Sequence, residues 1–206
     1  MLKILAVVIA LVIFTSIIWR LLSRRHALPC PTWLSWMVEM DNPFTKVNRA
    51  AVIIECLNLK PDMTLLDAGC GPGRISIPAS RLVKEVVAMD IQTGMLQRVQ
   101  QKAKNAGISN IQYLHAGLGE GKLDINRFDR AVLVTVLGEI PNRLAALKEI
   151  FHALKPGGIL SVTEIIFDPH FQRRKTVLDL AKTIGFREKS RFGNSIAYTL
   201  HLEKPE

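Results

Sequence analysis

"LLDAGCGPGRISI", Leu65 to Ile77, carries glycines at 69, 71 and 73, directly after an apolar run that ends in Asp67. Glycines at that spacing let backbone approach a ligand, because no Cβ stands in the way. The spacing excludes two kinds of ligand. A phosphate loop needs Gly-x-x-x-x-Gly-Lys-Ser/Thr, whereas Gly73 is followed by Arg74 and Ile75. A dinucleotide fingerprint needs G-x-G-x-x-G. Counted from Gly69 the sixth position is Arg74, and counted from Gly71 it is Ser76. What remains is D-x-G-x-G-x-G, from Asp67 to Gly73.

Outward from the loop, strands and helices alternate. "MTLLDA" reads as a buried strand, and a helix opens at about Arg74 with Pro78 in or just after its first turn. Upstream, Asp41-Asn42-Pro43 is a helix start, followed by Phe44, Val47, Ala51, Ile54 and Leu57 at helical spacing. Downstream, "EVVAMD" is a strand, Met95 to Ala106 a helix stopped by Gly107, and "NIQYLHA" and "FDRAVLVTVL" are strands. Arg143 to Leu154 is a helix ended by a "KPGG" turn, "ILSVTEII" a strand, and His170 to Ile184 a helix stopped by Gly185. "FREKSRF" and "SIAYTLHLEK" face each other across Gly193-Asn194 as a hairpin. Such alternation predicts an α/β domain with a mostly parallel sheet, helices on both faces, and an antiparallel member at one edge.

Four blocks stand in order: "LLDAGCGPGR", "VVAMD" about twenty residues on, "FDRAVLVTVLGEIP" and "ALKPGGILSVTE". On these, residues from about 42 to the end resemble class I S-adenosylmethionine-dependent methyltransferases. Within them the chain is most similar to the small-molecule branch that includes the ubiquinone and menaquinone biosynthesis (UbiE-like) enzymes. The resemblance implies a Rossmann-like seven-stranded sheet of order 3-2-1-4-5-7-6, S-adenosyl-L-methionine as cofactor, and no metal. It places Asp67 near the cofactor's ammonium, Gly69, Gly71 and Gly73 along its amino acid and ribose, and Asp90 on the ribose hydroxyls. Ile91, with Met95, would flank the adenine. Capping or turn formation is the alternative for both acids, and ordinary core packing for Ile91 and Met95. The family often carries an acid after the third strand that meets the adenine amino group. Here the sequence is His115-Ala116-Gly117-Leu118, so backbone groups of Ala116 or Gly117 take that place. Thr135, at the end of the fourth strand, is grouped with the cofactor residues.

Ligands of open α/β sheets bind at the carboxyl ends of the strands. The polar groups there are Thr135, Glu139, Glu164, Asp168 and His170. Glu139 and His170 are the candidates for a base, needed only if the acceptor must lose a proton; for each, a solvated or structural role stands beside the catalytic one. The fourth strand ends "VTVLGEIP". It lacks the Asn/Asp-Pro-Pro-Tyr/Phe signature of many enzymes that methylate nucleic-acid bases or glutamine.

The N-terminus is of another character. Ile4 to Trp19 holds no charge, and eleven of its sixteen residues are Leu, Ile, Val or Phe. At the helix-centre values these contribute about −3 to −6 kcal/mol toward insertion. A cleaved signal peptide is the alternative, but no A-x-A site follows. Residues 1–23 are therefore expected to be a single-pass anchor. Arg20, Arg24 and Arg25 outweigh Lys3 and place the rest on the cytoplasmic side. Residues 24–40 form a linker in which Trp33, Trp36, Met37 and Met40 make an apolar stripe. It is either an interfacial helix or a helix docked on the domain. Residues 41–206 are the domain. The formal charge is +9, of which +6 remains beyond residue 40. That suits an anionic bilayer, and no basic stripe interleaved with aromatics points to nucleic acid. Cys30, Cys56 and Cys70 lack the pairing or spacing of a disulfide framework or zinc site.

The expected function is methyl transfer to a hydrophobic small-molecule or lipid acceptor reached from the bilayer. The rivals are a soluble acceptor, with the anchor serving localisation only, and a cofactor-binding protein without turnover. Oligomeric state is not legible.

Overall fold

The computed structural model describes residues 30–41 and 45–206, together with Val7, Ala10, Leu11, Phe14, Thr15 and Ile18. Those six are helical, and Val7, Leu11, Phe14 and Ile18 are exposed. The rest of the expected anchor lies outside the described residues. Among the described residues, no helix is long and apolar enough to cross a membrane.

Seven strands form one sheet: β1 (Thr64–Ala68), β2 (Glu85–Asp90), β3 (Ile111–His115), β4 (Phe128–Val134), β5 (Leu154–Ile165), β6 (Arg187–Gly193) and β7 (Ala197–Glu203). Their order is β3-β2-β1-β4-β5-β7-β6, as the resemblance implied. β1 to β5 pair in parallel, and β7 runs antiparallel between β5 and β6. The helices are α1 (Ser35–Glu39), α2 (Ala50–Leu57), α3 (Ser76–Ala79), α4 (Thr93–Asn105), α5 (Arg143–Ala153) and α6 (Arg174–Ile184), with 3-10 turns at Thr32–Leu34 and Leu137–Glu139.

The apolar runs of the central strands are long because both faces are covered. On one face Leu66, Val87, Met89 and Leu133 join Leu147, Ile150 and Val177 of α5 and α6. On the other Leu65, Val86, Ala88 and Val132 join Ile53, Leu57, Leu96 and Val99 of α2 and α4.

Four expectations need correction. The helix expected after Pro43 starts at Ala50; Val47 lies in a turn, and the buried face is Ile53 and Leu57, with Ala51 exposed. Asp41 still serves it, since its Oδ1 accepts the Ala50 N–H at 3.2 Å. "KPGG" is no simple turn: β5 begins at Leu154, with Gly157 N–H donating to Lys204 O at 2.8 Å and Lys155 Nζ on Asp129. The helix expected from His170 begins at Arg174. Gln172 N–H donates to Glu164 Oε2 (2.9 Å) and Tyr198 Oη donates to Gln172 O (2.7 Å), which ties the intervening backbone to the sheet. The stripe of Trp33 to Met40 is a 3-10 turn followed by the short α1.

Candidate active site

The carboxyl ends of β1, β2, β3 and β4 open on a cavity of about 410 Å³, within the range of small-molecule sites. Its lining includes Gly69, Gly71, Asp90, Ile91, Met95, Ala116, Gly117, Thr135, Glu139 and Asp168, all singled out from sequence. Asp67, Gly73 and His170 do not line it. Asp67 is buried, accepts the Ser76 hydroxyl at 2.5 Å, and has its carboxyl raised to about 6 by burial. Its role is to fasten the loop to α3. Gly73 turns the chain at φ +89 beside Val99 and Ile77.

The loop forms as it does because two of its glycines face this cavity with left-handed backbone. Gly69 has φ +71, and a Cβ there would stand 2.5 Å from Val136 Cγ2. Any side chain would both strain the backbone and fill the cradle. Asp90 organises the next wall. Its Oδ2 accepts the Gly71 N–H (2.9 Å) and its Oδ1 the Gln92 N–H (2.8 Å). Burial raises its pKa, and these backbone donors act against that shift.

Thr135 follows β4 at φ +56, a costly conformation for a β-branched residue, of order 1–3 kcal/mol. Its N–H donates to Thr163 O at 2.8 Å, which holds it there. The chain then enters the 3-10 turn that carries Glu139. Arg143 donates to Leu137 O and Gly138 O, both at 3.2 Å, and so clamps that turn from behind. A Cβ on Gly138 would overlap the His170 carbonyl oxygen. The turn and the loop after β5 are thus packed backbone to backbone.

This packing gathers the acids of the far end. Glu139 and Asp168 both line the cavity. Burial, with Asp168 and Asp90 nearby, raises the Glu139 carboxyl to about 8. His170 is buried behind them, with Nδ1 3.8 Å from Glu139 Oε1 and 3.7 Å from Asp168 Oδ1, and its N–H donates to Asp168 Oδ1 at 2.6 Å. Glu164, also buried, is raised to about 8 chiefly by burial.

Three parts of the cavity were not singled out from sequence. Glu120 lines it beside Ala116, Gly117 and Leu118, its carboxylate over Gly117. An acid therefore reaches the place where "HAGL" lacks one. Val136, Ile140 and Leu118 supply apolar wall. Finally, Cys30 and Val38 line it from the N-terminal side. Residues 30–41 run across the sheet edge as a strap. Gln92 Nε2 donates to Cys30 O (3.0 Å), Thr32 Oγ1 donates to Gln92 Oε1 (3.1 Å), Glu39 pairs with Lys102 (2.6 Å), and Asp41 with Arg74 (2.6 Å). Trp33, Trp36 and Met40 point outward, 71%, 56% and 58% exposed.

Residues 65–158 match the family model described as a methyltransferase domain. That match covers just under half of the chain. A ubiquinone/menaquinone biosynthesis C-methyltransferase of Haemophilus ducreyi is 36% identical over 123 residues, 56% of this chain and 48% of its own length. The enzyme of the same name from Escherichia coli O1:K1 is 34% identical over 115 residues, 54% of this chain and 46% of its own. The chain thus spans about half the length of the curated relatives it matches. A crystal structure of a SAM-dependent methyltransferase from Aquifex aeolicus superposes with TM-score 0.73 at 18% identity, over 84% of this chain and 98% of that one. That likeness is one of fold. The domain's cofactor is S-adenosyl-L-methionine, and the cavity suits it: a glycine cradle, a buried acid at the tip of β2, apolar walls, and a second acid over Gly117.

Proposed function

We propose that this protein transfers a methyl group from S-adenosylmethionine to a hydrophobic small molecule or lipid, at a membrane in which residues 1–23 anchor it with the domain on the cytoplasmic side. The observation that carries this reading is the strap. The segment that would leave the bilayer is also the roof of the cavity, through Cys30 and Val38, and it presents two tryptophans and a methionine outward. Trp favours the interface between water and lipid. An apolar acceptor can then pass from bilayer to cavity without crossing water. The relatives named for ubiquinone and menaquinone biosynthesis make a quinone-type acceptor the first to try.

When bound, the cofactor supplies an electrophilic methyl group on a sulfonium. The chain's own residues hold and shield it. Gly69 and Gly71 admit its amino-acid end and ribose, Asp90 accepts the ribose hydroxyls, and Ile91 and Met95 flank the adenine. Glu120, with the backbone at Ala116 and Gly117, meets the adenine amino group. Glu139 faces the acceptor. A carboxylate whose pKa lies near 8 is basic enough to take a proton from a phenol or enol as its oxygen or ring carbon attacks. His170 Nδ1 stands 3.8 Å from it, and Arg143 fixes the turn beneath it.

The experiment is to incubate membranes containing the full chain with methyl-labelled S-adenosylmethionine and to separate lipid from water-soluble products. Label in lipid that vanishes with Glu139→Gln is the expected result. Label only in water-soluble products would favour a soluble acceptor, and no label alongside intact calorimetric binding would favour a non-catalytic protein.

A further inference from the structure

A second apolar surface lies beside the cavity. Ile166, Phe167 and Ile196 are 38%, 58% and 47% exposed. They belong to two different turns, after β5 and between β6 and β7. The Ile166 N–H donates to Ile196 O at 2.7 Å and so joins the turns. The joint is built into the sheet, since Ile165 pairs with Ala197 in the β5–β7 ladder. Asp168, next to Phe167, lines the cavity, as does Cys30 at the start of the strap. Both apolar surfaces therefore adjoin the cavity.

Exposed cations flank this patch along the chain. Arg173 and Lys175 are exposed just beyond it, and Arg191 is exposed on β6, whose end enters the same hairpin turn. None of the three is in an ion pair among the described residues. Gln172 accepts from Tyr198, and Tyr198 feels the charge of Arg174, which places this basic segment against the β5–β7 edge. The acid adjacent to Phe167, Asp168, faces the cavity. An apolar tip flanked by uncompensated cations matches an anionic lipid surface: the side chains enter below the headgroups and the cations meet the phosphates.

We infer that Ile166, Phe167 and Ile196, with Arg173, Lys175 and Arg191, form a second docking point on an anionic bilayer. The sheet edge then lies face-on to the membrane with the cavity over the lipid. The inference rests on the membrane reading above and adds to it a contact that owes nothing to residues 1–40. It also gives a role to the exposed phenylalanine next to Asp168. A single tether leaves the domain free to rotate, whereas two contacts fix the cavity over the acceptor.

The test uses the full chain reconstituted in phosphatidylcholine vesicles with or without phosphatidylglycerol, read by amide hydrogen exchange. Exchange at 166–168 and 194–196 is expected to slow by about tenfold or more when phosphatidylglycerol is present. The strap amides should be slowed in both kinds of vesicle. Equal exchange at the two turns in both kinds overturns the inference; if the strap is still protected, the reading under Proposed function survives. The double substitution Phe167→Ser with Ile196→Ser changes only exposed side chains. It should abolish the slowing and leave calorimetric S-adenosylmethionine affinity unchanged. Slowing that persists in this variant also overturns the inference.

Discussion

Replacing Asp90 is the most informative perturbation of the cofactor site. The wild-type carboxylate is buried and receives two backbone donors, Gly71 N–H at 2.9 Å and Gln92 N–H at 2.8 Å. In Asp90→Ala both donors lose their acceptor. A buried donor left unpaired costs about 1–3 kcal/mol. Asp90 lines the cavity, so water can replace the oxygen, and a stability loss near the lower end, about 2 kcal/mol in all, is expected. The effect on the cofactor is larger. Two hydrogen bonds from ribose hydroxyls to a charged acceptor are worth about 1.5–3 kcal/mol each, so affinity should fall about 10²- to 10⁴-fold. Asp90→Asn sharpens the test. An amide has one oxygen, and its NH₂ must face either Gly71 N–H or Gln92 N–H, a donor against a donor. Asparagine should therefore rescue little, despite its shape. Titration calorimetry with S-adenosylmethionine measures the affinity, and thermal unfolding the stability. If Asp90→Asn bound the cofactor within about threefold of wild type, the arrangement argued for this wall would be wrong.

Three more outcomes are expected. Turnover should rise with pH and level off above about 8 as Glu139 ionises; Glu139→Gln should flatten that profile and lower kcat by roughly 10²–10⁴-fold, read as a pH–rate curve. The buried Glu164 has a folded pKa of about 8 against 4.5 for the free group, so the native state binds more protons between those values. Its contribution is therefore fully present below about 4.5 and is lost as pH rises through about 8. Glu164→Gln should remove that decline and be the more stable protein at pH 9, by on the order of a few kcal/mol, in denaturant titrations at several pH values. Gly94→Ala separates strap from helix. A Cβ there would stand 2.9 Å from Thr32 Cγ2, while alanine within α4 gains up to about 1 kcal/mol of helix propensity. The melting temperature should hold or rise while cofactor affinity falls; a fall in both would show that the strap is part of the domain's fold.

The strands were legible because each is a short apolar run closed by a polar or glycine residue, and burial on two faces demands such runs. The glycine loop and Asp90 were legible because backbone approach and an acid at a strand tip leave a mark at fixed spacing. Elements set by distant partners were not. Helix α6 starts late because Glu164 and Tyr198, on two other strands, take the polar groups of Gln172. The start of α2 depends on Asp41, nine residues earlier. Glu120 was passed over because its carboxylate arrives over Gly117 only when the chain between them curls back. Cys30, Val38 and Gln92 gave no signal at all. That residues 24–58 cover the pocket follows only from the absence of a large insertion after the fifth strand, and Gln92 looks like any polar residue before a helix.

The contact between Gly138 and the His170 carbonyl bears on how such a protein could be redirected to other acceptors. Catalytic repertoires often diversify by lengthening the loops that follow strands. Here the turn after β4 and the loop after β5 interlock through their main chains, so an insertion in either would displace the other and Glu139 with it. New acceptor scope must come from exchanging side chains such as Ile140 and Pro141, which follow Glu139 in the lining, on an unchanged frame. A library confined to those positions would reshape the chamber while sparing the cofactor loop.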